Sequence, residues 1–270
     1  MSLFDIIALA LIQGITEFLP ISSSGHLALW PLLTGRPDQG PAMDVAVHLG
    51  TLAAVCIFFR AEFMQVLTGF GHIATRRART SEARLVWMLT LATIPAILFG
   101  LVLKFGEYQD SLRTLEVIGW ATLIGGLLLW VADKAAPERG RAESWTIRDA
   151  ILMGLAQAVA LIPGTSRSGI CMTMARWLGF DRTEAARLAL LMAMPVILAA
   201  GTLETYGVIK DGNLVLGREM ALGGVLSCLA ALGALTLMMR MFAGTWTMLP
   251  FVLYRLGLGA VLLGIAYLST

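Results

Sequence analysis

Charged side chains are scarce in this 270-residue chain, in which Asp, Glu, Lys and Arg make up 14% of the residues. Soluble globular domains carry about 25% charged residues. Here hydrophobic residues reach 57% and the mean hydropathy is +0.78, so a soluble fold would expose large apolar patches. The shortage of charge excludes an ordinary soluble enzyme, a disordered chain and a nucleic-acid-binding protein, and it indicates a polytopic membrane protein.

Cysteine is also scarce, with Cys56, Cys171 and Cys228 lying far apart in apolar surroundings. An odd number of separated cysteines predicts structural thiols rather than disulfides or a metal site. The N-terminal segment lacks the basic residues and the small-residue cleavage site of a signal peptide, so we expect it to be retained. No long polar stretch interrupts the chain, which favours a single membrane domain over residues 1–270.

The apolar residues are grouped into segments of two kinds. Two segments, 3–33 and 149–180, are each interrupted by a polar Gly/Ser turn and are too short on either side of it for two crossings. The other segments have the roughly 20 apolar residues that one crossing needs. We therefore predict an all-α polytopic membrane protein with two re-entrant helix hairpins and six spanning helices, at 43–60, 85–103, 115–133, 184–208, 219–238 and 249–268.

The 20 Lys and Arg residues divide unevenly between the loops, with thirteen on one side of the predicted membrane and five on the other. The positive-inside rule places the richer side in the cytoplasm. The alternation is then consistent only if 3–33 enters from the outside and 149–180 from the cytoplasm, with both termini outside. The remaining two, Arg167 and Arg255, fall at membrane depth. The five outer residues are Arg36, Lys104, Arg113, Lys210 and Arg218.

The two predicted hairpins resemble each other in sequence. Gln13 and Gly25 are twelve residues apart, as are Gln157 and Gly169, and each interval contains a proline followed by a Ser-rich turn. This spacing indicates inverted-topology repeats over 1–133 and 149–270. In transporters, such broken helices meet near the midplane and form a binding site at the repeat interface.

Polar residues at membrane depth are functional candidates because burying them there is costly. Gln13 and Glu17 share one helix face and offer the oxygen ligands that Mg²⁺ or Ca²⁺ prefers. Ser23 is a candidate nucleophile, and His26, three residues later, is a candidate acid–base group. Arg167 presents a planar fork suited to phosphate oxygens.

The turns themselves indicate an anion site. A helix that restarts after a Ser/Gly turn presents free backbone N–H groups and the positive end of its dipole. We therefore predict substrate-binding residues in both turns, and the whole set points to metal-assisted phosphoryl transfer. The predicted substrate-binding residues are Ser22, Ser24, Gly25, Thr165, Ser166, Ser168 and Gly169.

Structural roles are the alternative for the same residues. Ser/Gly turns also serve close helix packing, Glu17 and His26 could form a neutral hydrogen-bonded pair, and Arg167 could form a purely structural ion pair with Glu17. Asp44 and His48, which lie four residues apart near the start of a predicted span, could line a site, but solvation of a helix end is the favoured explanation. Arg255 is expected to pair with Glu204 from another helix.

Residues 13–26, QGITEFLPISSSGH, resemble the (Glu/Gln)-x-x-x-Glu motif and Ser-rich turn of the BacA-type undecaprenyl-diphosphate phosphatases. Residues 163–169, PGTSRSG, are similar to the family's second motif, and the resemblance extends over the whole chain. It implies an integral membrane hydrolase that converts undecaprenyl diphosphate to the monophosphate lipid carrier of cell-wall synthesis. It also implies bacitracin resistance, a location in the bacterial inner membrane with an outward-opening site, and a possible homodimer.

The resemblance also implies roles for individual residues. Glu17 and Gln13 match the acidic, divalent-metal motif, Ser23 the nucleophile or phosphate ligand, and His26 the acid–base group. Ser166 and Arg167 match the phosphate clamp. Many members have Glu where Gln13 stands, so the metal site here has one formal charge less.

Two other functions are compatible with these observations. A polyprenyl-phosphate transporter or flippase would share the inverted-repeat architecture, which says nothing specific about hydrolysis. A phosphatase acting on another polyprenyl or phosphatidyl lipid would share the site, because apolar walls do not determine chain length. The concentration of Ser, His, Glu and Arg at one point favours hydrolysis over transport.

Overall fold

The computed structural model describes residues 1–35, 40–77, 79–108, 111–135, 145–211 and 214–268, with the side chains of 41, 200 and 202–216 outside this description. The described residues form helices and turns, with no strand among them. Arg36, Arg139 and Arg141 of the loop charges lie outside it, as do the Lys210 and Glu204 side chains. The helices are α1 Leu3–Thr16, α2 Ser23–Thr34, α3 Pro41–Phe58, α4 Arg60–Ala74, α5 Ser81–Phe105, α6 Leu115–Ala135, α7 Ile147–Val159, α8 Arg167–Trp177, α9 Arg182–Asp211, α10 Leu214–Ala243 and α11 Leu249–Leu268.

Four of these helices are long and apolar enough to cross a membrane, namely α5, α6, α10 from Gly217, and α11. They contain the predicted spans 85–103, 115–133, 219–238 and 249–268. Large apolar side chains such as Leu98, Ile124, Leu229 and Leu253 are exposed on them, as expected where lipid rather than protein is the surroundings. The predicted span 184–208 lies within α9, which is not among the helices that meet this criterion in the described chain.

The predicted span 43–60 ends in a sharp bend instead of a loop. Helices α3 and α4 meet at Phe59 at an angle of 93°, and together they are apolar enough to count as a fifth, broken span. The stretch between the predicted spans 43–60 and 85–103, which the sequence predicts as a cytoplasmic loop rich in arginine, is helical in its first half. Phe59 has non-helical φ and ψ of −98° and 40° and its ring is buried in the core. Gly69 then brings α4 directly against the backbone of α5 at Glu82.

Both predicted hairpins are pairs of short helices joined by a turn. In the first, α1 ends at Thr16 and α2 begins at Ser23, and in the second, α7 ends at Val159 and α8 begins at Arg167. At 14, 12, 13 and 11 residues, each helix is too short to cross a bilayer alone, since crossing takes about 20 residues.

The longer helices pack around these hairpins through close backbone contacts. A Cβ atom on Gly50 of α3 would lie 2.1 Å from the Gly224 carbonyl oxygen of α10, and one on Gly259 of α11 would lie 3.0 Å from the Gly119 carbonyl oxygen of α6. Small residues allow this approach in membrane helices, where packing rather than water exclusion holds helices together. The largest buried cluster joins α7 and α8 to α3, α5, α9, α10 and α11.

Some of the arginines counted as loop charges are tied into the structure. Arg176 is buried and its Nε lies 3.4 Å from Asp133 Oδ1, while Arg182 Nε donates to the same oxygen at 2.7 Å. The backbone N–H of Met248 donates to the other carboxylate oxygen. This cluster joins α6, α8, α9 and the start of α11, so it stabilises one end of the bundle. The three cysteines are free thiols, as predicted.

Candidate functional site

The two turns have the same backbone geometry. The residue before each second helix is a serine in a left-handed conformation, Ser22 with φ 72° and ψ 91° and Ser166 with φ 66° and ψ 110°. Each serine Oγ accepts from the N–H of the glycine three residues later, Gly25 at 3.4 Å and Gly169 at 3.1 Å. A positive φ outside glycine costs about 1–3 kcal/mol, so the surrounding structure must hold both turns in place.

Each turn is held by a serine of the other. The Gly164 N–H donates to Ser24 Oγ at 3.0 Å, and Ser168 Oγ donates to the Leu19 carbonyl oxygen at 3.0 Å. Within each turn the paired hydroxyls, Ser22 with Ser24 and Ser166 with Ser168, lie 3.2 Å apart. These bonds seat one turn on the other, which brings the first residues of α2 and α8 to the same place.

Glu17 is the centre of the cluster that results. Its side chain is 4% exposed and forms an ion pair with Arg167 through Oε1. Its other oxygen, Oε2, accepts from Ser23 Oγ at 2.7 Å and from Gln13 Nε2 at 2.8 Å. The nucleophile candidate of one hairpin and the guanidinium of the other therefore share one carboxylate.

His48 of α3 also faces this carboxylate. Its Nε2 lies 3.7 Å from Glu17 Oε2, and its Nδ1 donates to the Asp44 carbonyl oxygen at 2.6 Å. The sequence indicated the pairing of Asp44 and His48 on one helix face but did not favour a site role for them. Only the packing of α3 beside the first hairpin reveals that they line the site.

The described structure shows no hydrogen bond between the side chains of His26 and Ser23. Its Nδ1–H donates to the Ser22 carbonyl oxygen at 2.7 Å, since a carbonyl can only accept, and its Nε2 lies 2.6 Å from the hydroxyl of Tyr254. The two rings stack at 5.5 Å between centroids. The proton acceptor in contact with Ser23 is thus Glu17 rather than His26. Tyr254 carried no prediction, because its partner is 228 residues away.

A cleft with two lobes opens at the cluster. The Glu17 lobe has a volume of about 360 Å³ and is lined by Glu17, Ser166, Arg167 and Gln157, among others. The Leu27 lobe has about 520 Å³ and is lined mainly by apolar residues, including Leu27, Pro31 and Leu115. Five residues line both lobes and mark their junction: Ser23, Ser24, Asp44, His48 and Arg113.

The structure divides the predicted site residues into two groups. Glu17, Ser23, Ser24, Ser166 and Arg167 line the cleft. The others do not border either lobe, because they build the turns or lie behind them: Gln13, Ser22, Gly25, His26, Thr165, Ser168 and Gly169. The sequence predicted that the backbone N–H groups of Gly25 and Gly169 bind phosphate. In the structure these N–H groups donate instead to Ser22 Oγ and Ser166 Oγ.

Thr165 lies on the far side of its turn. It lines a separate, almost wholly apolar cavity of about 400 Å³ between α6 and the second hairpin. Its carbonyl oxygen accepts from Arg255 at 2.8 Å. Its side chain therefore faces away from Ser23 and Glu17.

Arg255 holds the second turn from behind. It is fully buried and donates to the carbonyl oxygens of Thr165 and Gly164 in the turn and of Thr122 and Ala121 in α6. These carbonyl groups are hydrogen-bond partners of Nε and Nη2, whereas Nη1 is buried without a partner among the described residues. Arg255 thus joins α6, α11 and the turn that carries Arg167.

The oxygen atoms of Glu17 and Gln13 form a donor set for a divalent cation. Gln13 Oε1 is buried and has no hydrogen-bond partner, and the Glu17 carboxylate is beside it. Within the described residues no group of three His, Cys, Asp or Glu side chains could hold a metal ion. Mg²⁺ is commonly held by one or two carboxylates together with substrate phosphates and water, so one carboxylate and one amide oxygen fit a cation that substrate completes.

Comparisons with known proteins identify the family of this chain. Residues 6–261 match the family described as bacitracin resistance protein BacA. A protein of Jannaschia sp. named undecaprenyl-diphosphatase is 51% identical over 267 residues, which cover 99% of this chain and all of the relative. Proteins of the same name from Ruegeria pomeroyi and Alteromonas mediterranea are 50% and 46% identical, covering 99% and 97% of this chain and 100% and 98% of their own. This chain therefore belongs to the BacA family of bacitracin resistance proteins.

Proposed function

We propose that this multi-pass membrane protein is an undecaprenyl-diphosphate phosphatase, which removes the terminal phosphate of the lipid and returns undecaprenyl phosphate to cell-wall synthesis. The observation that carries the proposal is the contact of Ser23 and Arg167 with the same buried carboxylate, Glu17. It combines a nucleophile, a proton acceptor and a phosphate-binding cation at the wall of one cleft.

The geometry supports Ser23 as the nucleophile and Glu17 as its base. Ser23 Oγ attacks the terminal phosphorus while its proton passes to Glu17 Oε2, 2.7 Å away. The bond from phosphorus to the bridging oxygen breaks, and the prenyl monophosphate leaves with that oxygen. Water then attacks the phosphoserine, which releases inorganic phosphate and restores the serine. Direct attack by water, with Ser23 as a phosphate ligand, is the alternative.

Arg167 supplies charge at the transferring phosphoryl group. Its guanidinium, 19% exposed, lies between the buried carboxylate and the cleft. Phosphoryl transfer depends mainly on positioning and charge stabilisation, and a guanidinium can bind two phosphate oxygens at once. Substrate phosphate therefore competes with Glu17 for Arg167, which frees the carboxylate to accept the proton of Ser23.

His26 is proposed to position the nucleophile. Its Nδ1–H holds the Ser22 carbonyl, which belongs to the peptide that leads into Ser23. The strained φ of Ser22 is maintained by this bond and by the Ser22 side chain. Substrate contacts in the cleft fall to Ser24 and Ser166, whose side chains line it.

A divalent cation, Mg²⁺ or Ca²⁺, is part of this proposal. Glu17 and Gln13 Oε1 would hold it, and substrate phosphate oxygens would complete its coordination. Such an ion neutralises charge on a diphosphate and on its transition state. Because Gln13 is neutral, the site of this chain should bind the cation more weakly than a site with two carboxylates.

The Leu27 lobe and the exposed apolar helix faces suit the prenyl chain of the substrate and the surrounding membrane. The Leu27 lobe offers apolar walls for the first prenyl units, and the rest of the chain lies in the bilayer. We place the protein in the bacterial inner membrane, with both hairpins re-entrant in inverted repeats 1–133 and 149–270, six spans, and the cleft open to the outer side. A homodimer stays a prediction.

The test is phosphate release by detergent-purified protein from C15 and C55 prenyl diphosphates, with and without EDTA. We expect release from both without EDTA, strong inhibition with it, and recovery after Mg²⁺ or Ca²⁺ is added back. Release from neither substrate would overturn the proposal and favour transport. Release that EDTA leaves unchanged would overturn the metal assignment alone.

A further inference from the structure

Arg113 occupies a position in the cleft that the mechanism above does not use. Arg113 lies two residues before the start of α6. It lines both lobes of the cleft, as do Ser23, Ser24, Asp44 and His48. Among the Lys and Arg residues that the structure describes, only Arg113 lines both lobes. Arg167 lines the Glu17 lobe alone. Its side chain is exposed, and within the described chain it forms no ion pair.

The charge at the junction makes this position informative. The junction residues include one carboxylate, Asp44, and one guanidinium, Arg113. Arg113 therefore offers a guanidinium, which can bind phosphate oxygens, at the place where the two lobes meet.

The substrate of the proposed function has two phosphates in fixed order. If the terminal phosphate is at Ser23 and Arg167 and the prenyl chain is in the Leu27 lobe, the phosphate joined to the chain must lie between them. That place is the junction. This phosphate is also the leaving group, which gains negative charge as its bond to the transferred phosphorus breaks, so a cation there stabilises the transition state.

We propose that Arg113 binds the phosphate that carries the prenyl chain, and thereby determines which of the two phosphates meets Ser23. The proposal rests on the proposed function and adds a second cationic subsite to it. The two subsites correspond to the two products. Arg167 binds what leaves as inorganic phosphate, and Arg113 binds what leaves as prenyl monophosphate.

The products therefore test the two subsites separately. Binding of farnesyl monophosphate to purified protein is measured by calorimetry, and inhibition by inorganic phosphate is measured during hydrolysis of farnesyl diphosphate. Arg113→Gln should weaken farnesyl monophosphate binding about 10-fold, the usual size of a charge-assisted hydrogen bond, and leave inhibition by inorganic phosphate unchanged. Arg113→Lys should fall between, since an ammonium retains the charge but lacks the fork.

The matched control is Lys104→Gln, which removes an exposed cation at the end of α5 that lines neither lobe. It should bind both products as the wild type does. Equal weakening in Arg113→Gln and Lys104→Gln, or equal loss of both products in Arg113→Gln, would overturn the subsite. A wild type that hydrolyses nothing would count against the proposed function, while calorimetry would still decide whether Arg113 recognises a prenyl phosphate.

Discussion

The two hairpins share one backbone and carry different chemistry. Ser22 and Ser166 have the same left-handed conformation and the same cap on a glycine three residues later. At the next position, the first residue of the second helix, one hairpin has Ser23 and the other Arg167. Before its proline the first hairpin has Gln13 and Glu17 on one face, whereas the second has Gln157 and Leu161 at the matching positions.

Four of the conspicuous polar residues build the turns in both hairpins. Ser22, Ser24, Ser166 and Ser168 cap backbone groups or join the two turns. The residues that differ between hairpins carry the reactive groups. A repeated motif in this fold thus marks the framework, and the places where the repeats diverge mark the chemistry.

The largest effect is expected at the first divergent position. Ser23→Ala removes the hydroxyl that donates to Glu17 and should lower kcat by about 10³-fold or more, while binding of a non-hydrolysable diphosphate persists. Labelled phosphate transferred from substrate to the wild-type protein, and absent from the variant, would identify the phosphoserine. Residual activity within about 10-fold of wild type would favour attack by water.

The second divergent position should show a smaller but severe loss. Arg167→Lys keeps the positive charge but loses the planar fork, and we expect kcat/KM to fall by about 10²-fold. The control Arg187→Lys replaces a half-buried arginine that pairs with Glu62 and Glu184 and lines neither lobe, so it should have little effect on kcat/KM. Wild-type kinetics in Arg167→Lys would contradict the assigned phosphate contact.

The glycines at matching positions of the two turns, Gly25 and Gly169, differ in how closely other atoms pack against them. A Cβ on Gly169 would lie 2.5 Å from the buried Arg255 guanidinium, whereas one on Gly25 would meet only Leu258 and Leu262 side chains and Ser22 at 3.4 Å or more. Because Arg255 is bonded to four carbonyl groups, it cannot yield easily. Gly169→Ala should destabilise the protein by about 1–3 kcal/mol, and Gly25→Ala by much less. Thermal unfolding in detergent measures both, and equal shifts would contradict the argument.

The smallest effect is expected behind the first turn. Tyr254→Phe removes the hydroxyl that contacts His26 Nε2 but keeps the stacked ring, and one lost hydrogen bond should lower kcat by about 3- to 10-fold. Tyr267→Phe, at the far end of the same helix, serves as the control. A loss as large as that of Ser23→Ala would show that His26 acts directly in the chemistry.

The sequence predicted the all-helical fold, both hairpins and four of the spans because each depends on local composition. It predicted α4 as a loop, because the 93° bend at Phe59 is set by how Phe59 and Gly69 pack rather than by a helix-breaking residue. It named Glu17, Ser23 and Arg167 as site residues and His26 as the acid–base group, whereas in the structure Ser23 donates to Glu17 and His26 contacts Ser22 and Tyr254. His48, Arg113 and Tyr254 were recognisable only after distant helices had been brought together.

What the sequence determined by itself was the segments and their kind. In a bilayer every backbone group must be satisfied by the protein itself, most simply within a helix, so apolar length and polar interruption already predict helices and broken helices. Which side chains come into contact depends on the tertiary structure. Ser24 reaches Gly164 across 140 residues and Arg167 reaches Glu17 across 150, and no local pattern encodes such contacts. They arise because two strained turns are stable only when each caps the other.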